Sequence, residues 1–221
     1  RTYIYITSLF GFMRSAGKRL RIVLIYTAIS IWFVNCNVKP KEKLLLPIYG
    51  DRSLDPVTND SVDHHVLDFK MTDQLGQIVT MDTFKNKIYC ANFFFVTCPG
   101  ICKKMNSELE RVAKKFAGNS NVKFISYTVN PEQDSVPVLE TYAKEHEAVP
   151  YQWYFVTGDK NEIIKQARFS YNLQTDKNLV HSQNITLIDK KGRIRGVYGG
   201  TISEDMDRLK KDIDLLLKEE N

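Results

Sequence analysis

The feature that most constrains the fold is an apolar strand that runs directly into a helix carrying two cysteines. Residues 87–96 form a long apolar run, which predicts a central strand buried on both faces. Pro99 and Gly100 suit the turn that follows. Beyond the turn, apolar residues recur at helical spacing, namely Ile101, Met105, Leu109, Val112 and Phe116. This segment therefore predicts a strand–turn–helix unit with Cys98 in the turn and Cys102 in the first turn of the helix.

Two cysteines four residues apart at the start of a helix can serve metal binding or redox chemistry. Their side chains lie one turn apart, so their sulfurs can converge on one ion or oxidise to a disulfide. The positive end of the helix dipole stabilises thiolates, and Lys103 and Lys104 act in the same direction. A purely structural disulfide and two buried apolar thiols are the alternatives that the spacing leaves open.

The remainder of the chain predicts strands that alternate with helices. Two short strands surround a turn at residues 73–76. Further strands are predicted at 122–128, 151–156, 185–188 and 193–197, and helices at 134–147, at 159–169 and from Ser203 onward. The last helix carries one apolar stripe, made of Ile202, Met206, Leu209, Ile213 and Leu216.

This order predicts an α/β, thioredoxin-like fold, in which a central mixed sheet is flanked by helices and preceded by an N-terminal hairpin extension. In that arrangement the two cysteines lie at the carboxyl end of a central strand. Open α/β sheets place their active sites at that edge. We therefore expect the functional site there.

Residues 1–36 predict an export or membrane-anchor segment. Basic residues precede an apolar run of 13 residues at 22–34, which is short for a membrane span of about 20 residues and fits a signal-peptide core. Cys36 follows where a bacterial lipoprotein carries its acylated cysteine, although Asn35 replaces the small residue that usually precedes it. An uncleaved anchor is the alternative. We expect the true start at Met13, a tether and irregular arm at 37–65, and the globular domain at 66–221.

The positive charge of the chain is concentrated in its first 43 residues. These hold eight basic residues against the single acidic Glu42, a charge of +7, whereas the whole chain carries +5. The remainder is therefore slightly acidic, at −2. A folded domain without a basic surplus argues against a nucleic-acid partner.

Among the four histidines, the position of His181 best fits a third ligand. It precedes an apolar strand and is expected to emerge at the same sheet edge as the cysteines. His146 lies in the charged stretch KEHEA, which predicts a solvated surface residue. His64 and His65 in the arm are an alternative, paired metal site. Cys90, inside the central strand, is expected to be a packed core thiol.

A Cys-x-x-x-Cys motif after FFF, Met105, and a late His-Ser before an apolar strand together resemble the Sco/SenC family. Supporting segments are LPIYG, DFKMTDQLGQIVT, TVNPEQDSVPVLETYAKEH and WYFVTGDKNEI, so the resemblance extends from about residue 46 to residue 218. Family members are membrane-tethered, thioredoxin-fold proteins. They bind copper and help to assemble the dinuclear copper centre of cytochrome c oxidase.

The resemblance implies a ligand set and partners. By position, Cys98 and Cys102 match two thiolate ligands and His181 matches an imidazole ligand, a set that suits Cu(I) and, with an added axial group, Cu(II). Oxidation of the cysteine pair would abolish binding. The implied partners are the copper-bearing oxidase subunit, a copper donor protein and the membrane, with the domain on the periplasmic side of a bacterial envelope. Lys103 and Asn130 depart from the proline and Asp-Pro of many relatives.

A copper metallochaperone is the leading hypothesis, ahead of an enzyme. The alternative is an extracytoplasmic thiol-disulfide oxidoreductase that uses Cys98 and Cys102 to keep the oxidase copper-site cysteines reduced. Thioredoxin-type reductases use C-x-x-C and a cis-proline, whereas this chain has a wider spacing and no proline after Pro150. A peroxidase of the peroxiredoxin type is disfavoured, because Cys98 lacks the Pro-x-x-x-Thr-x-x-Cys setting that activates the attacking thiol.

Overall fold

The computed structural model describes residues 45–173 and 182–219. The strands are β1 Ser53–Leu54, β2 Ser61–Val62, β3 Lys70–Asp73, β4 Ile78–Thr80, β5 Ile88–Phe94, β6 Val122–Thr128, β7 Trp153–Thr157, β8 Asn184–Ile188 and β9 Ile194–Gly199. The helices are α1 Ile101–Lys115, α2 Val136–Glu145, α3 Lys160–Lys165 and α4 Ser203–Glu219. A 3₁₀ turn spans Met81–Phe84, and a π-helical turn, Gln166–Ser170, continues α3.

Seven of these strands form one mixed sheet in the order β4-β3-β7-β6-β5-β8-β9. The three central strands β5, β6 and β7 are parallel. The β8–β9 hairpin pairs with β5, and the predicted β3–β4 hairpin pairs with β7, both antiparallel. The predicted α/β architecture, with a mixed sheet and an N-terminal hairpin extension, is confirmed.

Strand β5 is buried along its whole length because both faces of the sheet are covered. Ile88, Cys90 and Phe94 pack in a core with residues of α1, α2 and α4. Tyr89 and Phe93 point to the opposite core, which α3 covers. Cys90 has no exposed surface, and burial raises its pKa, so the prediction of a packed core thiol is confirmed.

The apolar stripes of α1 and α4 account for most of the packing on the cysteine face. Met105, Leu109 and Val112 of α1 are fully buried, as is the α4 series Met206, Leu209, Ile213 and Leu216. Ile101 and Ile202 were expected to extend these stripes, but they are 39% and 50% exposed. Ile101 follows the end of β5 and Ile202 follows the end of β9, so both lie beyond the strand residues that cover the rest of each stripe.

His146 is buried, so the prediction of a solvated surface residue is wrong. It follows the end of α2 and is 5% exposed. Its ring lies 4.6 Å from that of Tyr142, and Nδ1 is 3.4 Å from a carboxylate oxygen of Glu110. Burial lowers its pKa. The charged neighbours in sequence point to solvent, whereas the ring itself turns into the core.

The arm before β3 packs on the edge of the sheet through Arg195. The Arg195 guanidinium is 2% exposed and donates to the backbone carbonyls of Leu46 (2.6 Å) and Pro47 (3.1 Å). It also bonds the carboxylates of Asp189 and Glu219. The expectation of a partly packed arm is thus met at this point, and a short β1–β2 hairpin interrupts its irregular course.

The arm histidines make backbone contacts. His64 Nε2 lies 2.9 Å from the carbonyl of Ser170, and His65 Nδ1 lies 2.6 Å from the carbonyl of Asp63. Within residues 45–173 and 182–219, no group of three or more His, Cys, Asp or Glu side chains is placed to hold a metal. The paired-histidine alternative gains no support there.

Two of the predicted site residues, Cys36 and His181, lie outside the described residues. So do Met13 and the apolar run at 22–34. Among the helices that the structure describes, none is both long and apolar enough to cross a membrane.

Candidate metal centre

The cysteine pair lies at the carboxyl edge of the parallel strands. Cys98 comes four residues after the end of β5, and Cys102 belongs to the first turn of α1. The predicted position is confirmed for both. All three described cysteines, including Cys90, are free thiols.

Cys98 is the more accessible thiol, and its environment favours the thiolate. The amide of Cys102 donates to its sulfur at 3.4 Å. Partial burial alone would raise the pKa of Cys98, but hydrogen bonds from the Cys102 thiol and from the amides of Gly100, Ile101 and Cys102 outweigh it. The pKa of Cys98 is therefore lower than its ordinary value. These amides belong to the positive end of α1, where a negative charge is stabilised.

Cys102 has the opposite character. It is 5% exposed, and burial raises its pKa to about 12. The hydrogen bond to Cys98 and the negative charge of Asp134 act in the same direction. The pair therefore combines one accessible sulfur that ionises readily with one buried sulfur that holds its proton.

Asp134 supports the loop that carries Cys98, and sequence reasoning missed it. Its carboxylate is 1% exposed, and Oδ2 accepts from the amide of Val96 at 3.1 Å and from the hydroxyl of Thr128. The other oxygen, Oδ1, is buried without a hydrogen-bond partner among the described residues. A buried, half-satisfied carboxylate is costly unless a positive charge lies near it. The signal in the sequence was an acidic residue shortly after the strand that neighbours β5.

A chain of buried polar side chains fixes α1 to the sheet. Trp153 Nε1 donates to Ser126 Oγ (2.9 Å), which donates to Asn92 Oδ1 (2.6 Å). Asn92 Nδ2 donates to Asn106 Oδ1 (2.9 Å), and Asn106 Nδ2 donates to Tyr142 Oη (3.0 Å). This polar chain links β7, β6, β5, α1 and α2. It holds α1 one turn beyond Cys102.

The start of β8 reaches the same edge as the cysteines. Strand β8 is antiparallel to β5, with Thr186 opposite Ala91, so Asn184 at the start of β8 lies beside the carboxyl end of β5. Gln183 accepts from the amide of Gly200 at 2.7 Å. A Cβ atom on Gly200 would lie 2.6 Å from Cγ of Met105, which shows how closely the residue after β9 packs on α1.

The mouth of the site is basic. Lys103 and Lys104 are exposed on the first turn of α1, and neither forms an ion pair within the described part of the chain. Lys103 therefore adds positive charge directly beside Cys102. Asn130 donates to the side chain of Gln133 at 3.0 Å and accepts from the amide of Asp134 through its carbonyl. These two hydrogen bonds of Asn130 close the loop between β6 and α2.

Comparison with known proteins identifies relatives along most of the chain. The family model described as SCO1/SenC matches residues 57–218. The SCO1 protein homolog of Bacillus subtilis is 27% identical over 161 residues, which cover 70% of this chain and 83% of that protein.

Solved structures show the same fold. One is BsSco, described as a member of the Sco family of cytochrome c oxidase assembly proteins with a disulfide switch; it is 27% identical, with a TM-score of 0.61, and the match covers 70% of this chain and 94% of that one. Another is ScoI of Arabidopsis thaliana with copper bound, 26% identical, with a TM-score of 0.56 over 69% of this chain and 98% of that one. The thioredoxin-like prediction is confirmed, and the chain belongs to the SCO1/SenC family.

Proposed function

We propose that this protein is a copper metallochaperone that takes part in the assembly of cytochrome c oxidase. The observation that carries the proposal is the free Cys98–Cys102 pair at the strand–helix junction, with one sulfur biased toward the thiolate. Relatives of similar fold are known with copper bound and as oxidase assembly proteins. In this proposal Cys98, Cys102 and His181 hold the metal.

The donor set and its surroundings fit a soft cation. Two thiolates and an imidazole favour Cu(I), and an additional oxygen donor permits Cu(II). A bound cation would stabilise the thiolate form of Cys102, whose proton is otherwise held by burial. It would also offset the charge of the buried, half-satisfied Asp134 carboxylate. The unpartnered oxygen of Asp134 therefore supports a cation at this edge.

The proposed cellular setting follows from the sequence. Residues 1–36 would direct the chain to the bacterial envelope, with Cys36 as the lipid attachment point or the apolar run as an anchor. The domain would then face the periplasm, accept copper from a donor protein and pass it to the oxidase subunit that bears the dinuclear site. Copper is the cargo in this scheme.

Copper titration of the reduced protein tests the proposal. We expect one copper per chain with sulfur-to-Cu(II) charge transfer in the visible spectrum. Cys98→Ser and Cys102→Ser should abolish tight binding, and His181→Ala should weaken it and change the electron paramagnetic resonance spectrum. Cys90→Ser is the matched control, since its sulfur is fully buried away from the site. Full stoichiometry in all three site variants would refute the ligand assignment.

The unequal ionisation of the cysteine pair favours a second candidate function, thiol-disulfide exchange. An accessible thiolate such as Cys98 can attack a disulfide, and a protected neighbour such as Cys102 can then resolve the mixed disulfide. Incubation of the reduced protein with an oxidised model peptide of the oxidase copper site separates the two functions. Rapid reduction of the peptide, with no copper binding by the reduced protein, would favour the oxidoreductase.

A further inference from the structure

An open cavity lies at the amino ends of the central strands, opposite the cysteine edge. Its volume is about 310 Å³. Lys87, one residue before β5, and Lys123 of β6 supply its charge. The turn at 118–120 and the segment before β7 complete the wall. The site described above does not use any of these residues.

The two lysines place positive charge in this cavity without a matching carboxylate. Lys87 and Lys123 are at odd-numbered positions on neighbouring parallel strands, so their side chains leave the same face of the sheet. Neither forms an ion pair among the described residues; Lys87 Nζ lies 3.5 Å from the side-chain oxygen of Asn121. Partial burial and the charge of Lys87 lower the pKa of Lys123. Two like charges in a partly desolvated cleft attract an anion.

Two hydrogen bonds hold the ammonium group of Lys123 in one position. Its ammonium donates to the carbonyl of Tyr151 (2.7 Å) and to the hydroxyl of Tyr154 (3.0 Å). These two contacts use two of its three N–H bonds. The third remains for a ligand. A cation that is already ordered loses little entropy when an anion binds.

The lining of the cavity also includes apolar and aromatic residues. These are Val149, Pro150 and Tyr151, of which Val149 and Tyr151 are 43% and 59% exposed. The backbone of Tyr151 adopts a φ of 61°, an unusual value for a residue other than glycine. A ligand that fills the cavity therefore meets both positive charge and apolar surface.

We propose that this cavity binds a small organic anion, whose phosphate or carboxylate group lies between Lys87 and Lys123 and whose aromatic or aliphatic body packs on Tyr151. The site is separate from the cysteine edge and does not depend on the copper proposal. The volume exceeds what inorganic phosphate alone fills, and the apolar lining residues give no partner to inorganic phosphate. An organic anion with an apolar body matches both kinds of lining residue.

Titration of the ¹⁵N-labelled full chain with phenyl phosphate tests this site. We expect saturable amide shifts confined to residues 87–88, 118–123, 149 and 151–152. Inorganic phosphate and benzyl alcohol, which lack the apolar body and the charge respectively, should bind more weakly. Lys87→Gln and Lys123→Gln should each weaken the binding of phenyl phosphate by about fivefold, a typical effect for a partly exposed charge. Added salt should weaken it further.

Two variants serve as controls. Lys123→Arg keeps the charge and should retain binding, which separates loss of charge from a folding defect. Lys211→Gln removes an exposed lysine of α4 outside the cavity and should leave binding unchanged. Equal affinity in Lys87→Gln and the unaltered protein, or shifts that do not saturate, would overturn the proposal. Because no readout involves copper, this outcome would not bear on the cysteine site.

Discussion

Cys98 and Cys102 are one helical turn apart, yet the fold gives them different acidities. The amides at the start of α1 reach the sulfur of Cys98, whereas Cys102 points into the core that Met105 and Leu109 share. Residue identity alone could not reveal this difference, because both are cysteines beside the same helix end. The difference arises from which sulfur the folded chain covers.

Alkylation measures this inequality directly. In the reduced protein, we expect iodoacetamide to modify Cys98 with a half-maximal rate below pH 9, since its pKa lies under the ordinary value of 9.0. Cys102 should stay unmodified at neutral pH and react only as the pH approaches 12. Mass spectrometry of the peptides distinguishes the two sites. Cys90 is the internal control and should react only after unfolding; equal rates for Cys98 and Cys102 at pH 7 would contradict the assignment.

Asn106 is the residue on which the buried polar chain depends. Asn106→Leu should lower the free energy of unfolding by about 3 kcal/mol, because it leaves Asn92 and Tyr142 buried with one hydrogen bond fewer each. Urea denaturation with an unchanged m-value is the measurement. Ser107→Leu, on the exposed face of the same helix, is the matched control and should change stability by less than about 0.5 kcal/mol. Similar losses in both variants would argue against the network.

At the scale of elements, helix α1 is held from two sides, by the polar chain and by the segment before β8. Gly200 lies where a side chain has no room between Met105 and the carbonyl of Gln183. This close approach couples the cysteine helix to Gln183, the residue just before β8. A substitution that separates Gly200 from Met105 should therefore disturb both α1 and the start of β8.

Gly200→Ala tests this coupling. Its methyl group would lie 2.6 Å from Cγ of Met105 and 2.9 Å from the Gln183 carbonyl, so backbone must move, and we expect a loss of about 2 kcal/mol. Thermal unfolding measures the loss. Gly158→Ala is the control: its nearest contact is the sulfur of Met71, which can rotate away, and its cost should be clearly smaller. A stable Gly200→Ala protein with unchanged α1 amide shifts would show that the contact is loose.

The sequence predicted the elements that repeat a simple pattern. The apolar run before Cys98 and the stripe of α1 located β5 and its helix to within a few residues, since burial of a whole face leaves a periodic record. Features made by partners far apart in sequence left no such record. Sequence reasoning could not predict three such features, because each depends on the folded structure. They are the hydrogen bond between Asn92 and Asn106, the burial of His146 and the support of the Cys98 loop by Asp134. The π-helical turn after α3 likewise has no periodic signature.

For the molecule as a whole, the charge cluster around Arg195 joins the arm, the β8–β9 hairpin and α4. Asp189 is buried and accepts from Arg193 and Arg195. Burial alone would raise its pKa, but these hydrogen bonds outweigh burial, so the pKa of Asp189 lies below its ordinary value. A depressed folded-state pKa stabilises the protein above the unfolded pKa, and this stability is lost as the pH falls through the folded value.

Arg195→Gln should therefore lower the free energy of unfolding by about 3 kcal/mol at pH 7, because the buried Asp189 carboxylate loses one of its two arginine partners. The carbonyls of Leu46 and Pro47 lose their guanidinium donor as well. The loss of stability as the pH falls below the ordinary pKa of an aspartate should become shallower, since the pKa of Asp189 returns toward that ordinary value. Denaturation at several pH values measures both effects, and limited proteolysis should cut near residues 45–60 earlier. Lys144→Gln removes an exposed pair and should cost less than about 0.5 kcal/mol. An unchanged cleavage rate would show that Arg195 does not hold the arm.

The hydrogen bonds from Arg195 to Leu46 and Pro47 also fix where the arm meets the domain. Ile194 pairs with Ile188, which pairs in turn with Tyr89 near the amino end of β5. Arg195 therefore binds the arm beside the amino end of β5, whereas Cys98 follows the carboxyl end. Seven residues of extended chain separate the two ends, roughly 20 Å. The arm at Leu46 and Pro47 therefore lies at the end of the sheet opposite the cysteine edge. A molecule that contacts Cys98 would thus approach the domain from the end of the sheet that is remote from this arm.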